Sequence, residues 1–292
     1  MPHPPAEPHI ETFRDVTHTV NGVRLHVVEA GPPGGELVVL LHGFPEFWWS
    51  WRRQIQAFSD AGYRVLAPDM RGYGQSDKPR RVKSYALHEL ARDVAELIAA
   101  AGRERAVVVG HDWGAMVAWE VAMRHPERVL KLGILNVPHP RRMLTGLLTL
   151  RQLKKSWYIF FFQLPFLPEH ILEKNDFEGL RRMFTSEGFT EDEVDSYVDA
   201  FRYEGALHSA LGYYRAAFRR TFTLRLGKPE VIRVPVLVIW GRQDRVLGVE
   251  LAEPPKELVP NARVEYLDAS HWVQHDQPAR VSELLLAFFR ER

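Results

Sequence analysis

The stretch that decides the fold is "VVVGHDWGAMVAW", residues 107–119. It begins as a short apolar run suited to a buried strand, turns through Gly110-His111-Asp112-Trp113-Gly114, and leaves as an apolar helix. The two glycines permit a tight strand-to-helix turn and let the helix pack close to the sheet, which drives the middle side chain out at the tip. That side chain is Asp112. An aspartate at such a junction can simply cap the helix that follows, or it can stand where a nucleophile stands in an elbow of this shape. Its neighbours along the chain decide between the two.

On either side, short continuous apolar runs predict buried strands: "ELVVLLHG" (36–43), "YRVLAPDM" (63–70), "VLKLGILN" (129–136), "VPVLVIWG" (234–241) and "ARVEYLDAS" (262–270). "THTVNGVRLHVVEA" (17–30) alternates around Asn21-Gly22, a dipeptide suited to a two-residue hairpin turn. Between the strands, "SYALHELARDVAELIAAAG" (84–102) places Leu87, Leu90, Val94, Leu97 and Ile98 at helical spacing, with Ser84 as the expected cap and Gly102 as the expected stop. The chain ends on the amphipathic segment "PARVSELLLAFFRER". Strands alternating with helices predict an α/β fold, a mostly parallel sheet covered on both faces.

From Pro138 to Gly227 the strand signal disappears, and aromatic and arginine residues recur in helical patterns such as "SYVDAFRYEGALHSALGYYRAAFRR" (196–220). The expected organisation is a core of residues 1–137 and 228–292 with an inserted helical cap over 138–227. "SWYIFFFQLPFL" (156–167) is too short and too interrupted by proline to span a bilayer, and is expected to be lid core or pocket wall. The N-terminus, "MPHPPAEPHI", lacks the apolar segment of a secretory signal and is expected to be a short frayed start.

The composition narrows the function classes. With 292 residues, 46% of them hydrophobic, the chain can bury a large core. A formal charge of +1 without a long basic run gives no footprint for nucleic acid or for an anionic membrane. The absence of cysteine removes disulfides, thiolate metal sites and cysteine nucleophiles, and fits a cytoplasmic enzyme. Small neutral partners are expected, and a homodimer is left open.

Three further motifs give Asp112 a chemical context. Asp244 in "GRQDRV" follows one late strand and His271 in "ASHWVQHDQP" follows the next, so nucleophile, acid and histidine come in the chain order of the α/β-hydrolase triad. Each stands at a strand's carboxyl end, where open α/β sheets place their sites. Taken singly, Asp244 reads as a turn residue and His271 as a surface histidine; the order of all three favours the triad. The fourth motif is His42-Gly43-Phe44-Pro45 directly after an early strand. The backbone N–H of Phe44 can join that of Trp113 to form an oxyanion hole, with His42, Gly43 and Pro45 supporting the loop.

The motifs "HGFPE", "GHDWG", "PDMRGYGQSDKP", "GRQDRV" and "SHWVQHDQP" resemble those of the soluble epoxide hydrolases of the α/β-hydrolase superfamily, from about residue 12 to the C-terminus. The resemblance implies an α/β-hydrolase core carrying a helical cap, with catalysis in the cleft between them and no metal or organic cofactor. It also implies two cap tyrosines that meet the epoxide oxygen: Tyr158 from "WYIFFFQLP" and Tyr214 from "LGYYRAAFR", with Tyr213 the alternative to the latter.

A carboxylate suits such chemistry. Serine attack on saturated carbon would leave an ether, whereas a carboxylate leaves an alkyl ester whose carbonyl is open to water. The expected activity is conversion of a small apolar epoxide and water to a vicinal diol through an ester on Asp112, hydrolysed by water that His271 and Asp244 activate. A haloalkane dehalogenase shares the Asp-Trp-Gly elbow, but commonly has asparagine where Phe44 stands. Haloacetate dehalogenases usually carry arginine where Trp113 stands. A ligand-binding protein without turnover on the same fold is the alternative from another class.

Overall fold

The computed structural model describes residues 12–221 and 230–291. The frayed start and the cap boundary expected at 227/228 lie outside the described residues. Eight strands form one sheet in the order β1-β2-β4-β3-β5-β6-β7-β8. They are β1 (Arg14–Val20), β2 (Val23–Ala30), β3 (Leu37–Leu41), β4 (Arg64–Pro68), β5 (Ala106–His111), β6 (Val129–Leu135), β7 (Val236–Gly241) and β8 (Ala262–Leu267). The first two make the expected hairpin, with Val20 opposite Val23 and both Asn21 and Gly22 at positive φ, as a two-residue turn requires. β2 pairs antiparallel with β4, and every later pairing in the sheet is parallel.

Period-two alternation makes each parallel strand serve two cores. Val39 and Leu41 of β3 join the cluster on one face, with Leu90, Val94 and Leu97 of α2 (Leu87–Ala100) and Val117 and Val121 of α3 (Trp113–Arg124). Val38 and Leu40 join the other, with Ile55 and Phe58 of α1 (Arg52–Asp60) and, from the C-terminal segment, Leu285 and Phe288. With strands buried on both sides, the sequence reads as unbroken apolar runs. The chain crosses from β4 over β3 to β5, so the loops after β3 and β5 diverge at a switch point of the sheet, where a crevice opens.

Between β6 and β7 the regular elements among the described residues are all helices: α4 (Pro140–Gly146), α5 (Leu150–Lys155), α6 (Trp157–Phe161), α7 (Leu167–Thr185, interrupted at Lys174–Phe177), α8 (Glu191–Phe201) and α9 (Ala206–Thr221). After β8 come α10 (Val273–Asp276) and α11 (Pro278–Arg290).

Two local expectations are corrected. Ser84 lies in a 3₁₀ turn over Val82–Tyr85 and does not cap α2, whose N-cap is Ala86 without a side-chain bond; Gly102, at φ +75°, does follow the helix end. The helical pattern expected over 196–220 is present, as two helices parted at Arg202–Gly205, where Gly205 takes positive φ. In "SWYIFFFQLPFL", Phe162 is buried and Tyr158, Ile159 and Phe161 pack on the core, but Trp157, Phe160, Leu164 and Phe166 are exposed. No helix among the described residues is long and apolar enough to cross a membrane.

Candidate active site

The elbow brings two chain segments almost into contact. A Cβ on Gly43 would sit 2.3 Å from the Cβ of Asp112, and one on Gly114 would sit 2.1 Å from the carbonyl oxygen of Leu41. Only glycine allows the loops after β3 and β5 to press together this closely. Asp112 occupies the N-cap position of α3 at φ +47°, ψ −121°, a strained conformation for a side chain with a Cβ. Its carboxylate makes no capping bond to the helix. Instead Oδ1 accepts the Phe44 N–H at 2.8 Å, and Oδ2 lies 3.6 Å from Nε2 of His271. The helix-cap role is thereby excluded.

The other face of His271 is fixed. Its Nδ1 lies 2.8 Å from Oδ2 of Asp244. Asp244 in turn receives the Val246 and Leu247 N–H groups on Oδ1 at 2.7 and 2.8 Å, and the Asn136 side-chain amide on Oδ2 at 2.7 Å. Asn136 is held by accepting from the Gly241 N–H at 3.1 Å. A carboxylate with this many donors cannot rotate, and because it accepts from the Nδ1–H it leaves Nε2 of His271 turned to Asp112.

The electrostatics follow from this enclosure. Burial opposes charge on Asp244, but His271, Asn136 and the loop amides outweigh it and hold the carboxyl below the usual range. Burial likewise opposes charge on Asp112, and His271, His111 and the Phe44 amide pull it down. For His271, burial lowers basicity, but Asp244 and Asp112 together push it up to about 10. Asp112 is therefore ionised at neutral pH, and His271 carries a proton while both carboxylates face it.

The oxyanion loop is held from behind. Nδ1 of His42 donates to the Gly43 carbonyl at 2.9 Å, while Nε2 accepts the Met70 N–H at 3.0 Å, a pairing only the neutral ring can make. Burial lowers its basicity in the same sense. The Phe44–Pro45 peptide is cis. Trp113 is the first residue of α3, so its N–H is among those a helix leaves unbonded within itself.

Three residues lie inside the sequence motifs without having been given a role there: Glu46, His111 and Gln274. Glu46 accepts the Gly43 N–H at 3.1 Å and faces Nδ1 of His111 at 2.7 Å. Nε2 of His111 donates to the His271 carbonyl at 2.9 Å, and the Gln274 amide reaches Glu46 at 3.0 Å. This buried cluster ties the oxyanion loop, the elbow and the histidine loop together. The signal was present in the letters flanking the triad, but nothing in their spacing says that they meet.

From the inserted helices, Tyr158 on α6 and Tyr214 on α9 face each other with ring centroids 5.9 Å apart. The Tyr214 ring sits edge-on to Trp113, Phe44 and Phe162. Burial first, and then the charge of Asp112, push both phenols well above their ordinary value, so both keep their protons. The Tyr213 ring also meets Trp113, but its hydroxyl donates to the Arg71 carbonyl at 2.7 Å. The structure thus gathers Asp112, Asp244, His271, Phe44, Trp113, Tyr158 and Tyr214 in one place, with the Tyr213 hydroxyl turned to Arg71. No cluster of three metal-ligating side chains occurs among the described residues.

Residues 36–278 match the family model for the alpha/beta hydrolase fold. The chain is 43% identical to the AB hydrolase superfamily protein YfhM of Bacillus subtilis, over 93% of this chain and 96% of that one. It is 40% identical to Epoxide hydrolase 4 of Homo sapiens, over 99% of this chain and 83% of that one. The crystal structure of the Bacillus megaterium epoxide hydrolase with an inhibitor superposes with a TM-score of 0.87 at 36% identity, covering 94% of this chain and all of that one. Fold and site define an α/β hydrolase with a carboxylate at the elbow, and within that superfamily the chain belongs to the epoxide hydrolases.

Proposed function

We propose that this chain hydrolyses apolar epoxides to vicinal diols through a covalent alkyl ester on Asp112, beneath a cap formed by the helices between β6 and β7. One observation carries the reading. The Asp112 side chain is spent on the Phe44 amide and on His271 rather than on its own helix.

In the first step Oδ2 of Asp112 bonds to a ring carbon and the ring C–O bond breaks. The departing oxygen takes a proton from Tyr158 or Tyr214, and the His271 proton restores the phenol through solvent. Ester formation also removes the Asp112 charge, one of the two that keep His271 protonated, so basicity falls as a base becomes necessary. In the second step neutral His271 takes a proton from water as that water attacks the ester carbonyl carbon. The resulting oxyanion forms on Oδ1, where the Phe44 N–H already points. Collapse expels the diol with Oδ2 in it, the second water proton going to that oxygen, and Asp112 keeps the oxygen of the water. Halide departure would need N–H donors, and Phe44 holds the position where dehalogenases commonly carry asparagine.

A single turnover in ¹⁸O-water with enzyme in excess is expected to give unlabelled diol and a labelled Asp112 carboxylate. His271→Gln is expected to stall as an adduct of enzyme plus epoxide, since displacement needs no base and ester hydrolysis does. Labelled diol in the first turnover, with no adduct in the histidine variant, would remove Asp112 as nucleophile.

A further inference from the structure

From Pro140 to Pro168 the chain holds five basic residues and no acidic one, in a protein whose overall formal charge is +1. Arg151 and Lys154 of this stretch are exposed, with Glu250 3.6 Å from Arg151 in a solvent-exposed ion pair of the kind that costs little to exchange. The same segment and the start of α7 carry nine of the eleven large apolar side chains that stand exposed among the described residues, including Leu148, Leu150, Trp157, Phe160, Leu164 and Phe166. Leu148 and Phe166 are 86% and 83% exposed, a placement with no folding benefit.

The inner side of this segment is firmly held. Gln152 donates to the Val246 carbonyl at 3.0 Å and accepts the Gly248 N–H at 3.0 Å, and Lys155 donates to the Asp244 carbonyl at 2.9 Å. Phe162 is buried against Phe44 and Tyr214. The segment is therefore anchored on the loop of the triad acid while its outer side offers aromatic and aliphatic groups interleaved with cations.

We propose that the outer face of residues 148–167 docks on an anionic phospholipid surface, its apolar side chains seated at the boundary of headgroups and acyl chains and Arg151 and Lys154 on the phosphates. Tryptophan, phenylalanine and leucine beside arginine and lysine are the set that a membrane interface accepts. A second copy of the same face would set Arg151 and Lys154 against like charges. With no spanning helix among the described residues, the contact is peripheral. Docking needs no catalytic reading. Its consequence does rest on the epoxide hydrolase reading: Tyr158, between Trp157 and Phe160, would meet epoxides dissolved in the bilayer.

The test is partition of the full chain onto vesicles of mixed phosphatidylcholine and phosphatidylglycerol, against phosphatidylcholine alone, followed by sedimentation at low and high salt. Binding is expected on the mixed vesicles, falling with salt. Arg151→Glu with Lys154→Glu is expected to weaken it at least about 25-fold, roughly fivefold per charge. Leu148→Ser with Phe166→Ser is expected to remove binding that survives high salt. Unchanged melting and unchanged hydrolysis of a water-soluble epoxide without lipid would show both variants folded; loss of that hydrolysis in the wild type as well would strike at the catalytic reading and leave the docking result standing. Absence of wild-type binding to mixed vesicles, or variants that bind like the wild type, would overturn the proposal. So would a concentration-dependent dimer that both variants dissolve while vesicles are ignored.

Discussion

The loops at the sheet's edge and the helices inserted between β6 and β7 hold their functional groups in different ways. Around Asp244 each carboxylate oxygen is met by two donors, from residues as separate as Asn136, Leu247 and His271. Around Tyr214 the restraint is ring against ring, with Phe44, Trp113, Tyr158 and Phe162 on its flanks. Hydrogen bonds to a buried charge fix direction and protonation together, whereas aromatic packing fixes position and leaves the phenol proton mobile. The first suits a base that must always aim at one atom. The second suits donors that meet an oxygen whose place depends on the substrate.

Asp244 is where the rigid half of the site breaks most visibly. Asp244→Asn is expected to slow ester hydrolysis by about 10³ to 10⁴, because the imidazole loses both its orientation and the charge that stabilises its protonated form. Alkylation should change far less, so the adduct should accumulate in rapid-quench mass spectrometry. The pH response has a definite sign: removing an anion lowers the basicity of His271, so the acid limb of the hydrolysis rate should move to lower pH even as the plateau falls. An adduct that never accumulates would mean that the rigid half of the site does not govern the second step.

The tyrosines should show the looser behaviour. Tyr158→Phe and Tyr214→Phe are each expected to slow alkylation by about tenfold to a hundredfold, and the double variant by more than 10³. Stopped-flow tryptophan fluorescence separates this step from hydrolysis. If either single change already reaches the double variant's rate, that phenol acts alone and the two hydroxyls do not share the task.

The smallest effect concerns how the inserted helices are fastened to the core. Glu193 closes the capping box of α8 with Thr190, and also reaches Arg52 at 2.6 Å and His275 at 3.0 Å. Burial opposes charge on Glu193, but His275, the Thr190 amide and Arg52 hold its carboxyl below the ordinary 4.5. Its stabilisation is therefore present above that value and lost as pH falls. Burial lowers the basicity of His275, but Asp276 and Glu193 raise it above the ordinary 6.5, so its share is present below that value and lost as pH rises through the folded one. The pair should contribute most between about pH 4.5 and 6.5. Glu193→Gln should cost about 1 kcal/mol there and flatten the acid side of the melting curve. An unchanged curve would show that α8 is held by packing alone.

Much of the site was legible because an elbow, an oxyanion loop and two strand ends are local objects. Each is a few residues whose spacing alone forces a turn, and chain order then relates them. The polar cluster of Glu46, His111 and Gln274 was not legible, since it joins positions 228 residues apart and no periodicity links them. The overall charge of +1 says nothing of the stretch from Pro140 to Pro168, which is basic without any acid, because a sum over the chain cancels local runs. The second tyrosine was ambiguous in "GYYR" for a similar reason. Adjacent helical residues point about 100° apart, and only the packing of α9 sends the Tyr213 hydroxyl to the Arg71 carbonyl and the Tyr214 ring to Phe44 and Tyr158.

By itself the sequence determined the strands, the elbow with its aspartate, and the order of acid and histidine. Short-range sterics and burial periodicity act within a few residues, and those are written in the chain. Only the tertiary structure decided what the Asp112 side chain does. At a helix start the choice between capping and facing a pocket depends on which donors arrive from elsewhere, and here the Phe44 amide and the His271 ring arrive from 68 and 159 residues away.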